Sequence, residues 1–530
     1  MLARNSGRSF LKATFLSLCL AAAAGGARAE TTITAVMHAP LRAVDPVIST
    51  AYILRNYGYM VYDTLLARDE AGNVQPQMAD WTVSEDGMTY TFTLREGLLW
   101  HDGTPVTATD AVASLERWSQ VDGLGQVMTS LMTGMEVLDE RSFTLTFETP
   151  TEIGLMALSK PSGVAPFMFP EAVARTPVSE QITSTVGSGP FVFAADEYQP
   201  GVRAVFEKNQ DYVPREEPAS GLAGGKIVNV DRVVWTTMPD PMTAVSALMA
   251  GEIDFLEQIP QDLLPLVEGN PDFEMAVYPK QGSQNLARLN FLHPPFDNLQ
   301  IRKAALLALG QQELLDSQVG SGSANARTCP AVFGCGSAYV SEYGAEDIVE
   351  PQPERAKALL EEAGYDGTPI LLMHATDLVN LAPMGPVFSQ QLRNAGFNVD
   401  MVSMDWASVV GRRTSRAAPA EGGWNIFSTT NVLPDVADPL GFIGARAGGD
   451  TAWFGWPDVP EIEEARAQLA ATADAQEAVA LGRRVHELII DNVTMIPMGE
   501  FYNVTVRSAA LGGQMDAEAP VFWNMTKAAP

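Results

Sequence analysis

From Thr31 the chain alternates polar and apolar residues through Thr-Ile-Thr-Ala-Val, the two-residue period of a half-buried strand. The same period returns at residues 88–95, where Tyr90, Phe92 and Leu94 share one face, and Asp86-Gly87 just before them is a tight-turn signal. Helical spacing takes over at residues 108–118, with Thr107 or Thr109 as caps and Asp110 in the first turn. It recurs at 243–250, 301–309, 353–363 and 460–490, the last broken near 471–475, and Gly364 supplies a left-handed stop after the 353–363 segment. Strands and helices mix without a repeat period, which argues against solenoids and propellers and predicts an α/β or α+β chain in several lobes. Glycine- and proline-rich passages at 216–225, 320–336 and 417–423 read as surface loops. No low-complexity linker divides the 530 residues, so the lobes are expected to be built from discontinuous segments.

The first 29 residues differ from the rest. Arg4, Arg8 and Lys12 precede an apolar run from Ala13 to Ala24, and Ala27-Arg28-Ala29 follows. This is the order of a secretory signal peptide, with cleavage expected after Ala29. Cys19 lies within the apolar run behind Leu18, a poor lipidation site. The full chain has a net charge of −30 from 34 basic and 64 acidic residues; removing the leader's four basic residues makes the remainder −34. Such a balance, without a basic block, opposes nucleic-acid binding. Charged residues at 18% and hydrophobic ones at 46% describe a globular chain, and no later apolar run approaches the ~18–20 residues that cross a bilayer. An exported, periplasmic, acidic protein is expected.

Cys329 and Cys335 are the cysteines left after the leader, set among Pro330, Gly334 and Gly336. In an oxidising compartment they read as a disulfide closing a short loop; a metal pair would lack histidine partners nearby. Catalytic signatures are missing: no phosphate loop ending in Lys-Ser/Thr, no HExxH and no GxSxG. Gly187-Ser-Gly-Pro190 has a proline where a nucleophile elbow opens its helix. The five histidines are scattered, and His38 stands out only because it follows the first strand, where loops of α/β lobes face a cleft. No metal or cofactor is expected. A secreted hydrolase using two distant carboxylates is the reading from a different class. Trp406, Trp424, Phe427, Trp453, Phe454 and Trp456 fall among glycines and prolines, either as walls of a small-molecule cleft or as packing beneath long loops.

Residues 79–118 carry a specific series: Ala79-Asp-Trp81, Ser84-Glu-Asp-Gly87, Tyr90-Thr-Phe-Thr-Leu-Arg95, Trp100-His-Asp-Gly103, Pro105-Val-Thr-Ala108 and Asp110-Ala-Val112. The series resembles the signature stretch of the bacterial extracellular solute-binding proteins of family 5, the peptide/nickel-type receptors of ABC importers. Gly187–Phe191, Ala247–Asp254, Phe296–Lys303, Ala356–Gly367 and Asp438-Pro439 extend the likeness along nearly the whole chain. The resemblance implies a non-enzymatic, monomeric receptor with a three-lobed fold of the type II periplasmic binding protein kind. Lobe I would take residues 30–74, 190–285 and 495–530, lobe II 75–189 and lobe III 286–494. Lobes I and III would close on the ligand at a hinge, and the partners would be an ABC permease and ATPase, the only route to membrane contact.

Family peptide binders hold the ligand's ammonium with the first Asp of an Ala-Asp-Tyr-x-Asp-Pro run. Pro434-Asp-Val-Ala-Asp-Pro439 matches half of it and assigns that role to Asp435, with a local turn as the competing reading. The expected ligand contacts are Met37, His38, Trp406, Trp424, Asn425, Phe427, Asp435 and Trp456. A short peptide or amino-acid derivative leads as ligand; an opine-like conjugate, a sugar or a metal chelate remain alternatives.

Overall fold

The computed structural model describes residues 30–472 and 474–528; the expected leader and its cleavage site lie outside them. Three sheets organise three lobes. The first has seven strands in the order Phe273–Val277, Val504–Ser508, Phe255–Leu256, Thr32–Val36, Arg232–Thr236, Arg203–Lys208 and Phe191–Phe193. Its central strand, Thr32–Val36, runs parallel to both neighbours and buries Ile33 and Ala35 completely, as the alternating pattern requires.

Lobe II carries a four-stranded antiparallel sheet, ordered Ala79–Val83, Thr89–Leu94, Ser142–Phe147, Met132–Val137. Tyr90, Phe92 and Leu94 point into its core, and Phe92 stacks on Phe143 at 5.2 Å between ring centroids. The helix Ala108–Val121 opens with a reciprocal capping box between Thr107 and Asp110, which satisfies backbone donors that have no partner within the helix.

Lobe III is built on six strands: Ala326–Arg327, Met495–Phe501, Ser283–Leu289, Ile426–Val432, Ile370–Ala375 and Val399–Met404. Every residue of Ile370–Ala375 and Met495–Phe501 is buried, because helices and loops cover both faces. The expected long helix at 460–490 is two, Pro460–Ala471 and Ala475–Asn492, the second capped by Asp474. Cys329 and Cys335 are joined to each other. Glu500 lies beside them, but sulfurs bonded together are not thiolate ligands.

The lobe boundaries differ from those expected at two places. Strand Met495–Phe501 pairs with Ser283–Leu289 in lobe III rather than joining lobe I, and Ser283–Asn285 belong to lobe III as well. Two adjacent ladders fix the crossings: Val277 pairs with Val504 in lobe I and Ser283 with Phe501 in lobe III. Only residues 278–282 and 502–503 lie between. Gly282 has φ +90°, and a Cβ there would sit 2.9 Å from the Phe501 carbonyl oxygen, so a glycine is needed where the two crossings touch.

Candidate ligand-binding site

A cavity with about 910 Å³ of empty space lies between lobes I and III, against both crossings. Lobe I contributes the carboxyl ends of two parallel neighbours. The chain leaving Thr32–Val36 presents His38, and the chain leaving Phe255–Leu256 presents Glu257. Parallel strands ending at one edge bring their following loops together. The His38 backbone N–H donates to Glu257 Oε2 at 2.7 Å and the ring Nδ1 lies 2.9 Å from the same oxygen. Burial pushes the Glu257 carboxyl up, but the charge and hydrogen bonds of His38 outweigh it and hold the group below its usual range.

Thr50, Ala51, Tyr52 and Arg55 reach the cavity from the start of helix Tyr52–Val61. Lobe III supplies Trp406, Arg413, Trp453 and the strand end Thr429–Val432, and the C-terminal segment returns through Gln514 and Glu518. Arg413 is buried against the rings of Trp406, Trp453 and Phe454, at 5.8, 5.5 and 4.8 Å from their centroids. Burial pulls its guanidinium down to about 9, and Nη2 donates across the lobes to Thr50 Oγ1 at 3.0 Å. Burial raises the Glu518 carboxyl.

The strand Ile426–Val432 has an open side at the cavity. Its whole length pairs with Ser283–Leu289 on one side, whereas on the other Ile370–Ala375 pairs only with Ile426 and Phe427 before diverging. Thr429, Thr430 and Asn431 therefore line the cavity with one backbone edge that no described strand covers.

Of the expected contacts, the structure places His38 and Trp406 on the cavity wall. Met37 faces a wider outer chamber of about 1750 Å³, which meets the inner cavity at His38, Gln258 and Leu378. Trp424, Asn425 and Phe427 are completely buried and do not line the cavity. Trp424 donates from Nε1 to the Arg413 carbonyl, Asn425 ties the Leu371 N–H to the Pro294 carbonyl, and Phe427 packs edge-on against Trp424 and Trp453. Trp456, at φ +48°, packs on Trp424 and beneath Arg416. These four form the floor under the wall, the packing alternative of the sequence reading.

Asp435 also sits elsewhere than expected. Its carboxylate accepts the Tyr52 hydroxyl at 2.6 Å and faces a smaller cavity of about 390 Å³ where lobe II adds Asp122, Lys160 and Gly163. Burial raises its carboxyl, opposed by Tyr52 and by the charges of Arg55 and Lys160. The wall residues missing from the sequence reading are Thr50, Tyr52, Arg55, Glu257, Arg413, Thr429–Asn431, Trp453 and Glu518. Only Trp453 had a signal, its place in the aromatic cluster.

Residues 73–453 match the family described as bacterial extracellular solute-binding proteins, family 5 Middle. The chain belongs to this family. A probable peptide ABC transporter periplasmic-binding protein of Sinorhizobium fredii (strain NBRC 101917 / NGR234) is 38% identical over 496 residues, covering 92% of each chain. Two solved structures share the fold. The PBP AgaA from A. tumefacien R10 in complex with agropinic acid has a TM-score of 0.79 at 20% identity, over 94% of this chain and 99% of that one. The dipeptide binding protein from Pseudoalteromonas sp. SM9913 in complex with Met-Leu has a TM-score of 0.78 at 18% identity, over 94% and 100%. The family 5 chain is a periplasmic solute-binding receptor rather than an enzyme, of a kind that serves ABC permease and ATPase subunits. No described helix is long and apolar enough to cross a membrane. The signature at 79–118 lies in lobe II and contributes nothing to the inner cavity.

Proposed function

We propose that this receptor captures a short peptide or peptide-like amino-acid derivative between lobes I and III and delivers it to the permease of an ABC importer. The observation that carries the reading is the open backbone edge of Thr429–Asn431 on the cavity wall. An extended peptide satisfies such an edge with its own main-chain groups, as an added strand does, while side-chain pockets supply selectivity. Cations and carboxylates on the same walls suit a ligand charged at both ends. The ligand acts by binding the closed arrangement more tightly than the open one. A compact opine-like conjugate is the second reading, favoured by the presence of both Arg55 and Arg413 on the inner wall. The working form is a monomer starting at Glu30.

Native mass spectrometry of protein freshly isolated from periplasm tests these points together. The expected result is a monomer lacking residues 1–29 that carries a small zwitterion, and isothermal calorimetry with a di- and tripeptide panel then gives saturable binding. A retained sugar, or no binding across the panel, overturns the peptide reading.

A further inference from the structure

The two walls of the inner cavity carry opposite charges that the protein leaves unmatched. On the lobe III side, Arg413 is only 2% exposed, its Nε has no acceptor among the described residues, and its single hydrogen bond across the cleft goes to the neutral Thr50 hydroxyl. Thr50 stands directly before helix Tyr52–Val61, whose N-cap Ala51 offers no side-chain acceptor and whose first turn holds no acid. A buried guanidinium beside an uncapped helix start is a strongly electropositive corner, and its aromatic surroundings exclude water without neutralising it.

On the lobe I side, the C-terminal segment presents Gln514 and Glu518 to the same cavity. Glu518 Oε2 and Gln514 Oε1 are both buried without a donor among the described residues. Buried acceptors of this kind cost free energy until a donor arrives. Asp435, by contrast, already has Tyr52 as a donor and the charges of Arg55 and Lys160 near it.

We propose that Arg413 and Glu518 grip the two ends of a zwitterionic ligand, the guanidinium receiving its carboxylate and the Glu518 carboxylate receiving its ammonium. This rests on the peptide-like reading above and names its anchors. Because Arg413 belongs to lobe III and Glu518 to lobe I, a ligand carrying both groups gains both contacts only when the lobes are together. One missing end group removes that differential affinity. The ammonium role expected of Asp435 passes to a residue of the C-terminal segment, and Asp435 becomes part of the lobe contact.

Calorimetry on the whole receptor decides this. The tightest-binding dipeptide from the panel is compared with its N-acetyl and C-amide derivatives, using the wild type, Glu518→Gln, Arg413→Gln, Arg413→Lys and Asp435→Asn, each checked by thermal melting. In the wild type each blocked end is expected to weaken binding at least tenfold. In Glu518→Gln the free dipeptide weakens at least tenfold and the N-acetyl penalty disappears. In Arg413→Gln the amide penalty disappears, and Arg413→Lys, which keeps the charge, restores part of it. Asp435→Asn keeps the N-acetyl penalty. A penalty that survives in Glu518→Gln, or that vanishes in Asp435→Asn, overturns the assignment while leaving the peptide reading in place. Absence of binding by every peptide overturns the peptide reading and the anchors with it.

Discussion

The Tyr52 hydroxyl joins two lobes through one atom: it donates to Asp435 Oδ2 at 2.6 Å and accepts the Val432 backbone N–H at 2.9 Å. Tyr52 opens the first helix of lobe I, and Val432 and Asp435 end the cavity strand of lobe III and begin its next turn. The Arg55 guanidinium lies 4.3 Å from the centroid of the Tyr52 ring, which keeps a positive charge close to the shared carboxylate. Hydrogen bonds to a charged group contribute about 1.5–3 kcal/mol. Tyr52→Phe therefore shifts the receptor toward the open form and weakens ligand binding by a comparable amount, since binding draws on the closed population. Small-angle scattering without ligand should show a larger radius of gyration than wild type. An unchanged radius and affinity would remove the contact from the closing mechanism.

The aromatic cluster separates into wall and floor, and the two respond differently to truncation. Trp406 is half-buried on the cavity wall, so Trp406→Ala should lose about 1–3 kcal/mol of affinity, the usual scale for an aromatic anchor, with little change in melting. Trp424 is fully buried, and Trp424→Ala should cost about 3–5 kcal/mol of stability through the lost packing and cavity. Parallel calorimetric and denaturation curves distinguish the two. Equal effects of both variants on affinity would contradict the division.

That division also marks where the sequence stops being informative. Strand Thr32–Val36, the lobe II hairpin and the capped helix Ala108–Val121 were legible because each declares itself locally, by a two-residue period, a turn or a cap. The strand Ile426–Val432 declares nothing: both faces of its first four residues are buried, so Phe427 carries no mark that it faces away from ligand. The cavity draws on residues 38, 50–55, 257, 406–413, 429–432, 453 and 514–520, segments that no short-range pattern connects. Asp435 was visible through a motif, but the motif could not reveal that Tyr52, 383 positions earlier, already satisfies it. Strand Met495–Phe501 was put in the wrong lobe because its partner Ser283–Leu289 is equally remote in sequence.

The pair of His38 and Glu257 gives the receptor an acid-sensitive element. The Glu257 carboxyl is held below its ordinary range against burial by the His38 charge and hydrogen bonds. A carboxyl whose folded value is depressed adds stability above its unfolded value, near ~4.3 for glutamate, and loses it as pH falls through the folded value. The wild type should therefore lose an increment of stability below about pH 4–5 that Glu257→Gln does not lose. Melting temperatures of both proteins across an acid titration measure the difference. Parallel acid limbs would show that the pair contributes no such increment.

Arg288 links the lobe III sheet to the cavity without touching it. It is completely buried on strand Ser283–Leu289 and donates to the carbonyl oxygens of Phe454, Gly444, Thr494 and Trp453 at 2.6–3.2 Å. Burial pulls its guanidinium down to about 9, so the side chain is retained against a desolvation cost by the carbonyls it gathers. Two of those carbonyls belong to residues 453 and 454, which place the Trp453 wall and the Phe454 ring against Arg413. Arg288→Met fills similar volume yet leaves four acceptors without their donor. At about 1–3 kcal/mol for each buried unsatisfied group, relieved in part by relaxation, the loss should reach at least ~3 kcal/mol of stability. The melting temperature falls, and at temperatures where the variant is still folded its ligand affinity falls as well. A variant that melts lower but binds normally would show that the 444–456 loop holds its position without Arg288.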